Sequence, residues 1–370
     1  MAMVQERAMV LADDADPSEV RRRIECLVKL FLKSLMAEKD VAIRPLSLVC
    51  RKDRNTGVDG DGIHLMDGTY EKDFTMKKCG KSFFRVWKVM ETCYHLLGIG
   101  KQLTQRELFY KILSSSGSYV TGQNQVNSAI QDAVAVLLCT RRSLGILASS
   151  KGLVVGRLVI EEHDGDTIDC SNLGSSAHPI SADMNMRERF YSDARYILVI
   201  EKDAIFQRLV EERFFLKVPC IIITGKGFPD LASRALLHRL HQEFPSLPIF
   251  ALVDWNPAGL AIICTYKFGS IKMGLEAPRY VCDVKWLGLR NQDALTYVPD
   301  NAFTSLTNRD VTQARSLLAS KMLQNHEQFK QEILEMLAFK RKAEIEALYA
   351  HGYEFLAKFI TQKIVQRDFI

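Results

Sequence analysis

RYILVIEKDAIFQRLVEERF, residues 195–214, is the stretch on which the fold turns. Its first six residues form a short apolar run of the kind buried on both faces of a sheet, and a helical pattern follows at once. The pattern then recurs. CIIIT (220–224) reads as a second strand and PDLASRALLHRLHQEF (229–244) as a second helix. PIFALV (248–253) reads as a third strand, and a helix opened by proline starts near Pro257. A fourth strand is expected between Val281 and Leu287. Buried strands alternating with helices imply a mostly parallel sheet covered on both faces, so the fold class is α/β. In such a sheet the reactive crevice lies at the carboxyl ends of the strands. Two strands here end in an acid, Glu201 and Asp254, and Asn256 lies two residues beyond. If those strands are neighbours their oxygens converge, and oxygen donors favour Mg²⁺ over zinc. The plain alternative is that Glu201 pairs with Lys202 or Arg208 while Asp254 caps the next helix.

Working outward, residues 161–194 are polar and read as a connection between domains, and the tail from 301 to 370 is helical. On the N-terminal side a helix is expected at about 18–37, capped by Ser18, with Val20, Ile24, Leu27, Phe31 and Leu35 at helical spacing. It follows an acidic, sparse tail. Residues 51–81 hold many glycines and charges without a period, which predicts a loop or disordered insert. Helical spacing returns at 83–97. Thr104 and Glu107 have capping-box spacing, which starts a second helix near 105, and a third follows at 123–141. LGILAS (144–149) and LVVGRLVI (153–160) read as two short strands joined by SKG into a hairpin. Three short helices and a hairpin fit a winged helix-turn-helix or a plain scaffold.

Composition sets outer limits. With 47% hydrophobic and 25% charged residues the chain is of ordinary globular make-up, which excludes a disordered or fibrous protein. No apolar run reaches the roughly 18 residues of a membrane span. The first residues show no basic start followed by an apolar stretch, so a secretory signal is not expected. The nine cysteines include no C-x-x-C pair, which argues for a reducing compartment and against a disulfide scaffold or a zinc site. A net charge of +5 decides little. KKCGKSFFRVWK (77–88) is basic throughout and reads either as a solvated helix face or as a phosphate-facing surface.

Few residues carry a chemical signal by themselves. Tyr110 stands one helical turn after Arg106, so the two share a face. A phenol is a weak nucleophile near neutral pH, and a guanidinium beside it favours the phenolate and can hold a phosphate oxygen. Packing is the plain alternative. TGKGFPD (224–230) places Lys226 in a Gly-rich turn that can hold a phosphate, without the spacing of a P-loop. His238 and His241 share a helix but lack a third ligand.

Several stretches together are more specific than any one of them. TQRELFYK (104–111), VIEKDAIFQRL (199–209), ITGKGFPD (223–230), LVDWNPAGLAI (252–262), KFGSIKM (267–273) and KAEIEAL (342–348) make the chain resemble the meiotic double-strand-break transesterases, relatives of the topoisomerase VI A-type protein, over about 82–370. FFRVWK, SLGILASSKGLV and DWNPAG look most like the second plant paralogue. The resemblance implies a winged-helix domain at 82–165, a Toprim domain at about 190–300 and a helical C-terminal region. It implies that Tyr110 becomes joined to a DNA 5′-phosphate, that Arg106 is the catalytic arginine, and that Glu201 and Asp254 are the Toprim acids that bind Mg²⁺. Lys226, Phe228 and Lys151 would contact DNA. The family usually has D-x-D where this chain has Asp254-Trp255-Asn256, so the third carboxylate is absent. The implied partners are double-stranded DNA, a second A-type protomer (a paralogue or another copy) and a topoisomerase VI B-like subunit, for which the first helix is the candidate contact. The implied location is the nucleus, with no membrane. Two other readings remain open: a non-cleaving DNA-binding subunit that supports an active paralogue, and a ligand-sensing regulator.

Overall fold

The computed structural model describes residues 8–36, 45–60, 62–73, 79–148, 150–162, 164–172, 176–181 and 188–370. The chain divides into two compact units, one of Met1–Asp59, Ile63–Ser149 and Ser270–Pro278, the other of Gly60–Gly62, Ser150–Gly269 and Arg279–Ile370.

The first unit is built on four helices: α1 (Pro17–Met36), α2 (Gly80–Gly98), α3 (Gln105–Ser116) and α4 (Gln123–Leu137). α1 starts two residues earlier than a cap at Ser18 would require. Asp16 is its cap, accepting the Glu19 amide at 2.9 Å, and Pro17 takes the first helical position, where its missing N–H costs nothing. Residue 37, the expected end, lies outside the described residues. Phe31, Phe83 and Trp87 meet at ring centroid distances of 5.3–6.0 Å between α1 and α2, so the aromatics of the basic stretch serve packing. The lysines at 77 and 78 lie outside the described residues.

The stretch at 51–81 is not a bare loop. Thr56–Asp59 and Gly62–Met66 share a sheet with Met9–Val10, and Leu46–Val49 pairs with Thr69–Lys72. Ile63 and Leu65 alternate into the core, a two-residue period hidden by the surrounding charges. Buried Asn55 closes the turns, donating to the carbonyls of Cys50, Met66 and Gly68 at 2.8–3.1 Å and accepting the Gly68 amide. Buried Asp132 of α4 is held by Arg51, Lys72 and Tyr70, which fastens the strands to the helix. Position 61 and residues 74–78 lie outside the described residues. The acidic segment before α1 is likewise tied in from residue 8 onward. Met9–Val10 pairs with Leu65–Met66 and the Ala12 amide reaches the Leu275 carbonyl at 2.8 Å. Residues 1–7 lie outside the description.

The expected hairpin at 144–160 does not form. Ile146–Leu147 pairs in parallel with Leu103–Thr104, whereas β1 (Leu153–Gly156) joins the large sheet of the second unit. The boundary therefore falls at 149/150 and not at 165. The reason lies in the residues themselves: Val154 and Val155 are both buried, so this strand needs cover on both faces. Residues 161–194 also belong to the second unit, where Val159–Glu161 pairs with Thr167–Asp169 and with Arg189–Tyr191. Residues 163, 173–175 and 182–187 of that expected connection lie outside the description. Ser270–Pro278, expected within the Toprim region, belongs to the first unit, where Glu276 accepts the Arg141 amide at 2.9 Å.

In the second unit the predicted alternation appears as read: β2 (Tyr196–Ile200), α5 (Asp203–Glu211), β3 (Cys220–Thr224), α6 (Leu231–Glu243), β4 (Ile249–Leu252), α7 (Pro257–Lys267) and β5 (Val284–Gly288). The six-stranded sheet runs His178–Pro179, β1, β3, β2, β4, β5. β3, β2, β4 and β5 are mutually parallel, and β1 is antiparallel to β3. The C-terminal region is helical, with helices at Asn308–Leu318, Glu327–Phe339 and Phe355–Val365. Among the described residues no helix is long and apolar enough to cross a membrane.

Candidate active site

The site residues expected from the sequence fall into two sets, one in each unit. In the first, the T-x-x-E sequence forms a complete capping box: the Glu107 amide donates to Thr104 Oγ1 at 3.2 Å and the Thr104 amide to Glu107 Oε2 at 2.7 Å. These bonds to Thr104 also hold the Glu107 carboxyl below its usual range. Thus anchored, α3 buries Leu108 and Ile112 and turns Arg106 and Tyr110 outward, each pair spaced by four residues. Tyr110 is 54% exposed, and the Arg106 guanidinium carbon lies 6.0 Å from its ring centre. Its ring also lies 5.2 Å from that of Phe109.

In the second unit β2 and β4 are adjacent, and Ile200 lies opposite Leu252, so both strands end at the same level. Glu201 and Asp254 therefore meet, as strand neighbours must. The Asp254 amide donates to Glu201 Oε2 at 2.8 Å, and Asp254 Oδ1 accepts the Ile345 amide at 2.9 Å. Both carboxyls are buried, and burial raises both above the ordinary carboxylate range, Glu201 further because Asp254 is beside it. Asn256 departs from expectation. Its Oδ1 accepts the Gly259 amide at 2.8 Å, so it caps α7, the role that the plain alternative gave to Asp254.

Residues without an assigned part in the sequence reading complete this cluster. Trp255 pairs with Ala343 through two backbone bonds, Trp255 N to Ala343 O at 3.0 Å and the reverse at 3.1 Å. That pairing brings the KAEIEAL segment alongside. Lys202, expected beside Glu201, instead places its Nζ 3.1 Å from Asp254 Oδ2, 3.0 Å from Glu344 Oε2 and 2.6 Å from Glu346 Oε2. The signal for this was the pair of acids two apart in a stretch read only as helical. Among the described residues no three His, Cys, Asp or Glu side chains are arranged around a common metal position. The donor set nevertheless fits a hard cation. Two buried carboxylates destabilise each other unless a positive charge lies against them, and the Lys202 ammonium now stands in that place.

The Gly-rich turn after β3 hangs on the same strand end: the Gly227 amide donates to the Glu201 carbonyl at 2.7 Å. Gly225 is packed so closely that a side chain there would meet the Pro229 backbone at 2.9 Å. Lys226 and Lys151 are brought together, Lys151 Nζ donating to the Lys226 carbonyl at 2.8 Å. Lys226 Nζ lies 3.4 Å from Asp203 Oδ2, and Phe228 is 49% exposed. His238 bonds the Val281 carbonyl at 2.8 Å, which leaves it a packing role.

Known proteins are similar to this chain. A profile for the Toprim domain of Spo11 and of the A component of topoisomerase 6 matches residues 196–364, and one described as type IIB DNA topoisomerase matches residues 81–146. The meiotic recombination protein SPO11-2 of Oryza sativa subsp. japonica is 51% identical over 99% of this chain and 96% of its own length. SPO11-2 of Arabidopsis thaliana is 48% identical, over 100% and 98% respectively. The chain belongs to the topoisomerase VI A/Spo11 family. The A component of DNA topoisomerase 6 from Arabidopsis thaliana, a further member, is 33% identical over 84% of this chain and 72% of its own. That family is one of topoisomerase-like DNA-cleaving enzymes of the type IIB class, and this protein is a member of it.

Proposed function

We propose that this protein makes programmed double-strand breaks that initiate meiotic recombination in the nucleus, by an Mg²⁺-dependent transesterification at Tyr110. The observation that carries this reading is the exposed phenol of Tyr110 one turn from Arg106 on a capped, buried-backed helix. Tyr110 Oη attacks a backbone phosphorus, the 3′ oxygen leaves as a hydroxyl, and the 5′ phosphate stays on the tyrosine. One phosphodiester replaces another, so no nucleotide hydrolysis is required and the step can reverse. Arg106 holds a phosphate oxygen and opposes its growing charge. Glu201 and Asp254 would hold Mg²⁺, which when bound supplies charge stabilisation for the phosphate. Lys226, Lys151 and Phe228 offer a cationic and apolar surface for DNA, and the three-helix region around α3 serves as a DNA-binding element without the expected hairpin wing.

Two strands require two tyrosines and so a second A-type protomer, either a paralogue or another copy. A topoisomerase VI B-like subunit has a candidate contact in α1, whose Val28, Leu32, Leu35 and Met36 are exposed along one side. Asn256 favours one other reading, a DNA-binding subunit that supports a cleaving paralogue, because its oxygen is committed to the helix cap. Trapping the covalent DNA adduct and mapping the modified residue separates the two. A 5′-phosphotyrosine at Tyr110, absent from Tyr110→Phe, is the expected result. An adduct at Tyr119, or none from an assembly whose partner is inactivated, refutes cleavage by Tyr110.

A further inference from the structure

Lys202 is shared by the three carboxylates around it. Its Nζ contacts Asp254 Oδ2, Glu344 Oε2 and Glu346 Oε2 at 2.6–3.1 Å. Each acid at the strand ends has one oxygen already committed. Glu201 Oε2 takes the Asp254 amide, and Asp254 Oδ1 takes the Ile345 amide. Asp254 Oδ2, the oxygen not engaged by the Ile345 amide, is the one that the ammonium now holds. Mg²⁺ binds oxygens at about 2.1 Å in near-octahedral geometry, so an ion on Asp254 Oδ2 and an ammonium at hydrogen-bond distance from the same oxygen repel each other. Glu344 and Glu346 lie nearer to solvent, with side chains 60% and 34% exposed, against 5% for Asp254. The flexible four-carbon stem of lysine lets the ammonium withdraw onto these two acids without losing all its partners.

We propose that Lys202 is a resident counter-ion of this cluster, which a divalent cation must displace from Asp254, so that Lys202 sets how much Mg²⁺ the enzyme needs. The inference rests on the assignment of Glu201 and Asp254 as the metal acids. In the absence of metal Lys202 relieves the repulsion between buried carboxylates. In its presence Lys202 is a competitor, held in reserve by Glu344 and Glu346.

The test is Mg²⁺ binding to the full chain by calorimetry, for the wild type, Lys202→Met and Lys202→Arg. Removing one positive charge from a partly buried cation site should tighten binding by about tenfold. Lys202→Arg keeps the charge and should bind close to wild type. With EDTA, Lys202→Met should unfold at a lower temperature than wild type, and Mg²⁺ should raise its Tm by more. A purely structural ion pair predicts the same loss in EDTA without recovery in Mg²⁺, and that result overturns the proposal. Equal affinity in wild type and Lys202→Met also overturns it while leaving the metal site in place. No binding by any of the three overturns the metal assignment itself. If Lys202→Met does not fold, acylation of Lys202 in the wild type, followed by mass spectrometry, decides. Mg²⁺ should increase its labelling, and unchanged labelling refutes displacement.

Discussion

Asn256→Asp restores the carboxylate that relatives with D-x-D carry, and its effect can be worked from the contacts around it. Asn256 Oδ1 caps α7 through the Gly259 amide at 2.8 Å. Aspartate caps as well as asparagine, and its charge at a helix N-terminus adds about 0.3–1 kcal/mol of stability. Against that stands repulsion from Asp254. A tight turn joins the two residues, the Asn256 amide donating to the Asp254 carbonyl at 2.9 Å, and two unit charges about 7 Å apart repel by about 2 kcal/mol at an effective dielectric of ~20. Without metal the variant should therefore be less stable than wild type by about 1–2 kcal/mol, the difference between these two terms. With Mg²⁺ the sign reverses, because the new charge attracts the ion, and the midpoint of a Mg²⁺ titration should fall by about tenfold. Asn256→Ala separates the cap from the charge: it should lose about 1 kcal/mol whether or not Mg²⁺ is present. Thermal unfolding in EDTA and in Mg²⁺, with calorimetric titration of the metal, measures all these quantities. Equal Mg²⁺ midpoints for Asn256→Asp and wild type would refute the reasoning and leave residue 256 as a helix cap alone.

The same geometry makes three more perturbations informative. Glu201→Gln keeps an acceptor for the Asp254 amide but removes a carboxyl whose native pKa burial raises. A raised acid is most stabilising when protonated, so in EDTA the variant should become more stable than wild type as pH rises from about 4 towards neutrality, and the gap should close at low pH. Gly152→Ala should destabilise the second unit by about 1–3 kcal/mol or more in denaturant unfolding, since its methyl would meet Ser233 Oγ at 2.0 Å and the Thr224 carbonyl at 3.0 Å. A dimer with Tyr110→Phe in one protomer and Glu201→Ala in the other should nick a single strand if each active site combines the tyrosine of one chain with the metal acids of its partner. An inert mixed dimer whose parents both bind DNA rules out that sharing.

What could be read in advance was local. The apolar runs at 195–200, 220–224 and 248–253 stand as strands because a strand buried on both faces must be apolar throughout. The capping box at Thr104 stands because its two hydrogen bonds involve residues three apart. Partner choice for short strands could not be read in the same way. Leu153–Gly156 looks like half of a hairpin until Cys220–Thr224 is available as an antiparallel neighbour. The strands at 56–72 were hidden for a related reason: they carry charge on their open faces, and much of their closure is done by one asparagine side chain, which leaves no periodic trace.

The same division governs the site. Strand ends announced Glu201 and Asp254, and the parallel register of Ile200 against Leu252 makes their meeting unavoidable once β2 and β4 are neighbours. Two buried neighbouring carboxylates resist ionising together without a nearby cation. The chain had to supply one itself or leave the position for an ion. It supplies Lys202, next in sequence to Glu201, and holds it with Glu344 and Glu346, more than 140 residues away. That distance is spanned by the Trp255–Ala343 backbone pairing, a contact with no sequence signature. The electrostatic problem could therefore be read from the strand ends, whereas its solution depended on a pairing that only the folded chain reveals.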